Sequence, residues 1–322
     1  MKNSKKIMLI IAVAVVLIVA VVAIVLSMGA WKKSDLSSKK SDDPTKEGYR
    51  EIVVYDIDGI AKVTREGIGE MDAYADMQLE SKDTLSTAEE SYLQMLMDED
   101  KYLMMEPNSK ISLEASGNHQ DSLTYITLET GAITNTLENP LSEDSTYEIH
   151  TPNATMAIRG TTYRVVVEKD KKGRVYTTTS VFEGSVEVHL VMPDGAVSTE
   201  AIMVKGGQEA RIRSDKKVTE YEYKDKNVNY SSLNIKVLRF LKQMVEKAGA
   251  NLSIPTEELE NIIEEKMCQV TFAYHQNVFG TQKVDPGTII TAPKLYPSET
   301  GSWDYDFAQK ITEDTTIHWI EK

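Results

Sequence analysis

Residues 151–167 read TPNATMAIRGTTYRVVV. The apolar Met156-Ala157-Ile158 and the run Tyr163-Arg164-Val165-Val166-Val167 are separated by Arg159-Gly160, where the chain must turn. Short runs of β-branched and aromatic residues suit a pleated, half-buried surface, and Gly supplies backbone angles that a side chain forbids. Outward from there the pattern repeats. Downstream, Val186-Glu187-Val188-His189-Leu190 alternates with period two, and Met192-Pro193-Asp194-Gly195 turns the chain. Upstream lie Thr124-Tyr125-Ile126-Thr127-Leu128, Ile111-Ser112-Leu113, Ile60-Ala61-Lys62-Val63 and Ile52-Val53-Val54-Tyr55, with Asp58-Gly59 between the last two as a hairpin signal. About a dozen strands at this spacing predict an all-β domain over residues 49–225, built as a β-roll, a β-solenoid-like coil or a β-sandwich. Leu113-Glu114 before Gly117, Leu128-Glu129 before Gly131 and Phe182-Glu183 before Gly184 each read as a strand end followed by a turn, at irregular spacing.

Beyond residue 230 the period changes. Leu233, Val237, Leu238, Leu241, Met244, Val245 and Ala248 fall on one helical face. Gly249 can end that helix, and Pro255 with Glu257, Glu258 and Glu260 starts a second, so 231–267 reads as a helical pair. Strands resume with Val270-Thr271-Phe272, and 268–322 reads as a small C-terminal β module with a turn at Pro286-Gly287. The fold class predicted is therefore mainly β with one short helical pair.

Residues 7–28 hold no charge and are dominated by Ile, Val, Leu and Ala. A helix of that length spans roughly 30 Å, the thickness of the bilayer core. The apolar cores of cleaved signals run to about 7–15 residues, so the segment reads as a retained single transmembrane helix rather than a signal peptide. Lys2, Lys5 and Lys6 precede it and favour an N-terminus in the cytoplasm. The expected order is a cytoplasmic tail at 1–6, the membrane span at 7–28, a flexible Ser/Lys/Asp stalk at 29–48, and an extracytoplasmic bulk. The five lysines of the first 33 residues, with no acid among them, leave the remainder at a formal −19 against −14 for the whole chain. So acidic a surface is repelled by phosphates, which excludes nucleic acid as a partner. One cysteine, Cys268, rules out an intrachain disulfide framework.

Thr151-Pro152-Asn153-Ala154-Thr155-Met156-Ala157-Ile158-Arg159-Gly160-Thr161 resembles the signature of the FecR domain family, a T-P-x-A-x-x-x-x-R-G-T stretch leading into a strand. Val181-Phe182-Glu183-Gly184-Ser185-Val186 resembles the family's next stretch and Gly207-Gln208-Glu209-Ala210 its closing turn, for a coverage of about 55–213. The resemblance implies an extracytoplasmic β domain. Founding members of that family relay an external signal to a cytoplasmic sigma factor through a cytoplasmic domain. Only six residues precede the span here, so fold and outside location carry over and the sigma-factor partnership does not. Residues 268–322 resemble, more distantly, the Listeria–Bacteroides type surface repeat, through Val270-Thr271-Phe272, Pro286-Gly287 and Asp306-Phe307.

Few residues point to chemistry. Thr151, Pro152, Asn153, Thr155, Arg159, Gly160 and Thr161 are expected to serve structure rather than a ligand: Arg159 donating to backbone carbonyls at the turn, Asn153 and Thr155 capping it. Asp56-Ile57-Asp58-Gly59 lacks the glutamate a calcium loop requires, and Asp98-Glu99-Asp100 reads as a solvated turn. The histidines His119, His150, His189, His275 and His318 show no metalloprotease spacing, and no nucleophile elbow or phosphate loop occurs. The reading is a non-enzymatic protein with no cofactor or metal: a membrane-anchored binding or scaffold protein of the cell envelope, its partner an envelope protein or a polysaccharide. The alternative is a signal-transducing sensor that acts through a membrane partner.

Overall fold

A computed structural model describes residues 50–321, apart from 119–120, 216–217, 295–296 and 299, and for 221–225 only the backbone. The tail, membrane span and stalk expected at 1–48 lie outside the described residues. Among the described residues no helix is long and apolar enough to cross a membrane.

The all-β region is a sandwich of two sheets, and the chain alternates between them. β1 (Ile52–Asp58) belongs to the first sheet, and β2 (Ala61–Arg65), β3 (Gly69–Asp72) and β4 (Thr84–Thr87) belong to the second. The hairpin of β5 (Tyr92–Met97) and β6 (Lys101–Met105) returns to the first sheet. β7 (Lys110–Gly117) pairs in the second with the leading half of β8 (Ser122–Leu137), whose trailing half pairs in the first. The hairpin of β9 (Thr146–Thr151) and β10 (Ala154–Ile158) lies in the second sheet, and that of β11 (Thr162–Lys169) and β12 (Val175–Glu183) in the first. The hairpin of β13 (Ser185–Val191) and β14 (Val197–Lys205) again lies in the second, and that of β15 (Gln208–Ser214) and β16 (Thr219–Asn227) in the first. All these pairings are antiparallel except β8 with β9.

Alternation is the reason this works. Tyr163, Val165 and Val167 of β11 point into the sandwich, as do Val186 and Val188 of β13, and both sheets share one core with Leu85, Leu103, Ile126, Ile133 and Ile149. Corners between the sheets demand special backbone. At Gly131, φ is +86° and a Cβ would lie 2.4 Å from the Ser109 Cα, so only glycine lets β8 bend from one sheet into the other. The strand therefore continues past Leu128-Glu129, where the sequence reading ended it. Asp58-Gly59 is likewise no hairpin turn: β1 pairs with β5, and β2 pairs with β3 and β4. It is another corner between sheets.

Two helices pack on the outer face of the first sheet. α1 (Ile235–Lys247) begins at Asn234, whose side chain accepts the Lys236 amide at 2.8 Å, and α2 (Thr256–Lys266) follows Pro255. Val237, Leu238, Leu241 and Met244 meet Met104 and Phe182, the residues of β6 and β12 that point away from the sandwich core. The last strands are β17 (Cys268–Tyr274), β18 (Asn277–Val284), β19 (Thr288–Ile289), β20 (Gly301–Trp303), β21 (Lys310–Ile311) and β22 (Thr315–Glu321). Four of them form a sheet in the order β18-β17-β22-β20, with β17 and β22 parallel, around a separate core of Val270, Phe272, Trp303, Ile317 and Trp319.

Candidate functional site

The signature residues come together at the β9–β10 hairpin and the corner after it, and their roles differ from those expected. Asn153 is wholly buried and does not cap its own turn. Its Nδ2 reaches the first sheet, donating to the carbonyls of Val175 (3.3 Å) and Ile212 (3.5 Å), and its Oδ1 accepts from the Thr177 hydroxyl. The local turn is closed by Thr151, whose Oγ1 donates to the Ala154 carbonyl and accepts the Ala154 amide, both at 3.0 Å. Pro152 is exposed and Thr155 half-buried. Arg159 is exposed and, among the described residues, makes no hydrogen bond or ion pair; the expected donation to carbonyls is absent because its side chain lies outside the corner. Gly160 takes φ +98° with a Cβ position 3.3 Å from the Pro140 Cα, and the buried Thr161 donates to the Ser185 carbonyl at 3.2 Å. The motif is a clamp between sheets.

The charged groups that the fold does bury were not singled out from the sequence. Arg50 sits immediately before β1, where the chain enters the sandwich. Its Nε donates to both Asp98 oxygens at 2.9 Å, its Nη1 to the carbonyls of Ser116 and Leu123, and its Nη2 to Thr124 Oγ1. Lys101 adds contacts to Asp100 (2.6 Å) and Asp98 (3.4 Å). Asp98 is thus buried and doubly paired, not the solvated turn residue expected, because two cations converge on it. Deeper in the first sheet, Arg164 holds Glu106 at 2.6 and 2.8 Å. Burial is the largest single effect and opposes the Arg164 charge, but the bond to Glu106 and the charges of Glu106, Glu168 and Glu209 together raise the guanidinium above its ordinary pKa. The available signal was a lone arginine within an apolar strand; its partner, 58 positions away, was not legible.

Beside this pair opens a cleft between the outer face of the first sheet, α1 and the C-terminal segment. Its inner part, about 210 Å³, is lined by Asp56, Asp58, Tyr92, Gln94, Lys236, Arg239 and Asp285, and its outer part, about 800 Å³, adds Glu89, Glu90, Asn108, Lys266, Thr288 and Lys310. Ion pairs cross it: Lys236 to Asp58 at 2.9 Å, Arg239 to Asp285 at 2.7 Å and Lys310 to Glu90 at 2.5 Å. The Tyr92 hydroxyl is pushed up to about 12 by burial and then by the charge of Glu106. Gln94 Oε1 is buried there without a hydrogen-bond partner among the described residues. Phenol, amide and alternating charges suit a polar, hydrogen-bonding guest. Among the described residues no group of three or more His, Cys, Asp or Glu converges to hold a metal ion. Burial and the nearby acids Asp314, Glu313 and Asp285 raise the thiol pKa of Cys268, which holds it in the unreactive protonated form.

Residues 83–187 match the family model described as FecR protein, a narrower span than the 55–213 read from the sequence. No curated protein matches the chain. Among solved structures, two crystal structures of "a putative anti-sigma factor from Parabacteroides distasonis ATCC 8503" are similar to it. One, at 2.50 Å resolution, is 12% identical and aligns 58% of this chain with 92% of that chain at a TM-score of 0.35. The other, at 1.65 Å, is 10% identical and aligns 74% of this chain with 99% of that chain, again at 0.35. Neither alignment is close enough to carry residue roles across. The family match begins just before β4 and ends within β13, so it contains the Gly131 bend, the Arg164–Glu106 pair and Asn153 with its partners Val175 and Thr177. The likeness to the FecR family thus rests on residues 83–187.

Proposed function

We propose that this protein is a non-enzymatic signalling regulator anchored in a membrane. Its FecR domain stands outside the cytoplasm, and residues 7–28 pass the state of that domain to a membrane partner. The match to the FecR family over residues 83–187 carries the reading. Two features support it. The clustered ion pair Arg50–Asp98, at 2.7 Å, ties the point where the chain enters the sandwich to both sheets, so a displacement of the sandwich reaches the segment leading to the span. The cleft beside Tyr92 lies between separately packed parts, where an occupant would alter how they meet.

A scaffold needs only to be tethered, whereas a relay needs its own span. Exchanging residues 7–28 for an unrelated single span of equal length separates the two. Full-length protein is cross-linked in intact cells, the captured membrane proteins are identified by mass spectrometry, and transcripts are profiled alongside. The exchange is expected to abolish capture of a discrete membrane partner and to change transcription as deletion does. Unchanged capture and unchanged transcripts would return the protein to the scaffold reading.

A further inference from the structure

We propose that the C-terminal β module binds an uncharged oligosaccharide in an aromatic cleft at the ends of β20 and β22. This stands apart from the signalling reading, since it concerns a different cleft and needs no relay. The cleft has a volume of about 890 Å³, enough for two or more sugar rings, and Trp303, Trp319, Tyr305 and Phe307 form its walls. Four aromatic side chains around one cleft are a large share for a chain in which aromatics make up 7% of residues.

Two of the four already serve the module's core. Trp303 and Trp319 meet edge to face with centroids 5.2 Å apart, and Phe272 packs on Trp303 at 5.3 Å. Tyr305 and Phe307 pack against the edge of that core without being enclosed by it. They pair with each other at 5.4 Å and 78° and remain half-buried along the cleft. Apolar ring faces flanked by polar groups are what the C–H face of a pyranose and its surrounding hydroxyls require. The exposed Ser302 and Lys294 supply hydroxyl and ammonium at the rim.

A second observation points the same way. Trp303 is 8% exposed, and its indole N–H is buried without a hydrogen-bond partner among the described residues. Trp319 in the same wall has satisfied its own N–H, which donates to Ser298 Oγ at 2.8 Å. A native structure rarely leaves such a donor unmatched, and an acceptor oxygen entering from the cleft would supply the match. Charge selects among saccharides. Asp304 and Asp306 are exposed beside Tyr305 and Phe307, and the whole chain carries −14, so uronic acids and phosphate-bearing glycans are disfavoured.

The chain has three tryptophans, Trp31, Trp303 and Trp319, so a Trp31→Phe background makes indole emission a report on the cleft walls alone. Full-length protein in a detergent without a sugar headgroup is titrated with the tetramer of N-acetylglucosamine, with cellotetraose and with a tetramer of galacturonic acid. A saturable change in emission is expected with at least one neutral tetramer and none with the acidic one. Tyr305→Ala and Phe307→Ala should each weaken that binding about tenfold. Trp303→Phe, which keeps a ring and loses the N–H, should weaken it severalfold with the melting midpoint retained. Absence of a saturable change with both neutral tetramers to millimolar concentration overturns the proposal. So does binding that is unaltered in all three variants, or tighter binding of the acidic tetramer.

Discussion

Asn153 and Arg159 lie six positions apart in one signature and have opposite structural weight. Asn153→Ala takes a donor from the buried carbonyls of Val175 and Ile212 and an acceptor from the Thr177 hydroxyl, which keeps its bond to Thr151. Each unpaired buried group costs about 1–3 kcal/mol, so the melting midpoint of the full chain should fall by several degrees. Arg159→Ala removes an exposed side chain with no partner among the described residues and should stay within about 0.5 kcal/mol of the parent. A thermal melt of both variants decides it; equal midpoints would mean that Asn153 is not the clamp. Tyrosines supply the alkaline counterpart. Burial raises Tyr92 to about 12 from 10.0 and raises Tyr163 and Tyr147 as well. A raised folded-state value adds stability that is complete below the unfolded value and is lost as pH climbs through the folded one. Stability should therefore hold to about pH 10 and decline above it, with tyrosinate absorbance and loss of the β signal rising together. Tyrosinate appearing at these three positions in a still-folded chain would contradict the burial. That the signature marks a turn between strands is readable from its residues. Which side chain holds the turn is not, because Asn153 finds its partners 22 and 59 positions away.

At the scale of elements, periodicity carries most of the information. The alternation in β13 and the helical spacing of Val237, Leu238, Leu241 and Met244 each place a buried face, and both faces are buried. What the helical face covers is decided elsewhere, by Met104, which faces outward between the core residues Leu103 and Met105, and by Phe182, which the register shift of β12 against β11 turns outward. Leu241→Ala should cost about 2–5 kcal/mol, the usual range for a fully buried leucine. The loss should be felt first as cleavage by protease between β16 and α1, before the sandwich opens. Simultaneous loss of both would show that the helices and sandwich are one cooperative unit. Glycine corners are the least legible elements. Gly59 follows an aspartate, which suggests a hairpin by local rule, yet the chain leaves one sheet there and enters the other.

Over the whole molecule, the sandwich and helices join through apolar side chains, while the C-terminal module meets them through charges. Arg239 grips Asp285 with two bonds of 2.7 and 3.2 Å, Lys310 reaches Glu90, and Lys283 reaches Glu264 at 3.3 Å. Salt screens such pairs far more than it weakens a core. Asp285→Ala, or the parent in 1 M salt, should split the calorimetric unfolding trace in two, with β17–β22 melting first. A single unchanged transition would show that the module is held by something other than these pairs. The proposed anchor is tested separately: mass measurement of the N-terminal peptide from membrane-extracted protein should find residues 7–28 retained. A mature chain beginning near Ala30 would replace the anchor with a cleaved signal.

Composition and spacing alone determined the mainly β character, the positions of two helices and the strongly acidic balance of charge, and a motif resemblance added the likeness to FecR domains. Each of these depends on neighbours within a few positions, where side-chain period and backbone preference act directly. Tertiary structure decided the rest: two sheets sharing β8, Asn153 spanning them, Arg50 and Asp98 buried together 48 positions apart, and an aromatic cleft assembled from β20, β22 and the segments on either side of β20. A buried polar side chain is stable only where partners from distant segments arrive to satisfy it, and a cleft exists only where segments fail to close. Neither condition is written in any local stretch of the chain.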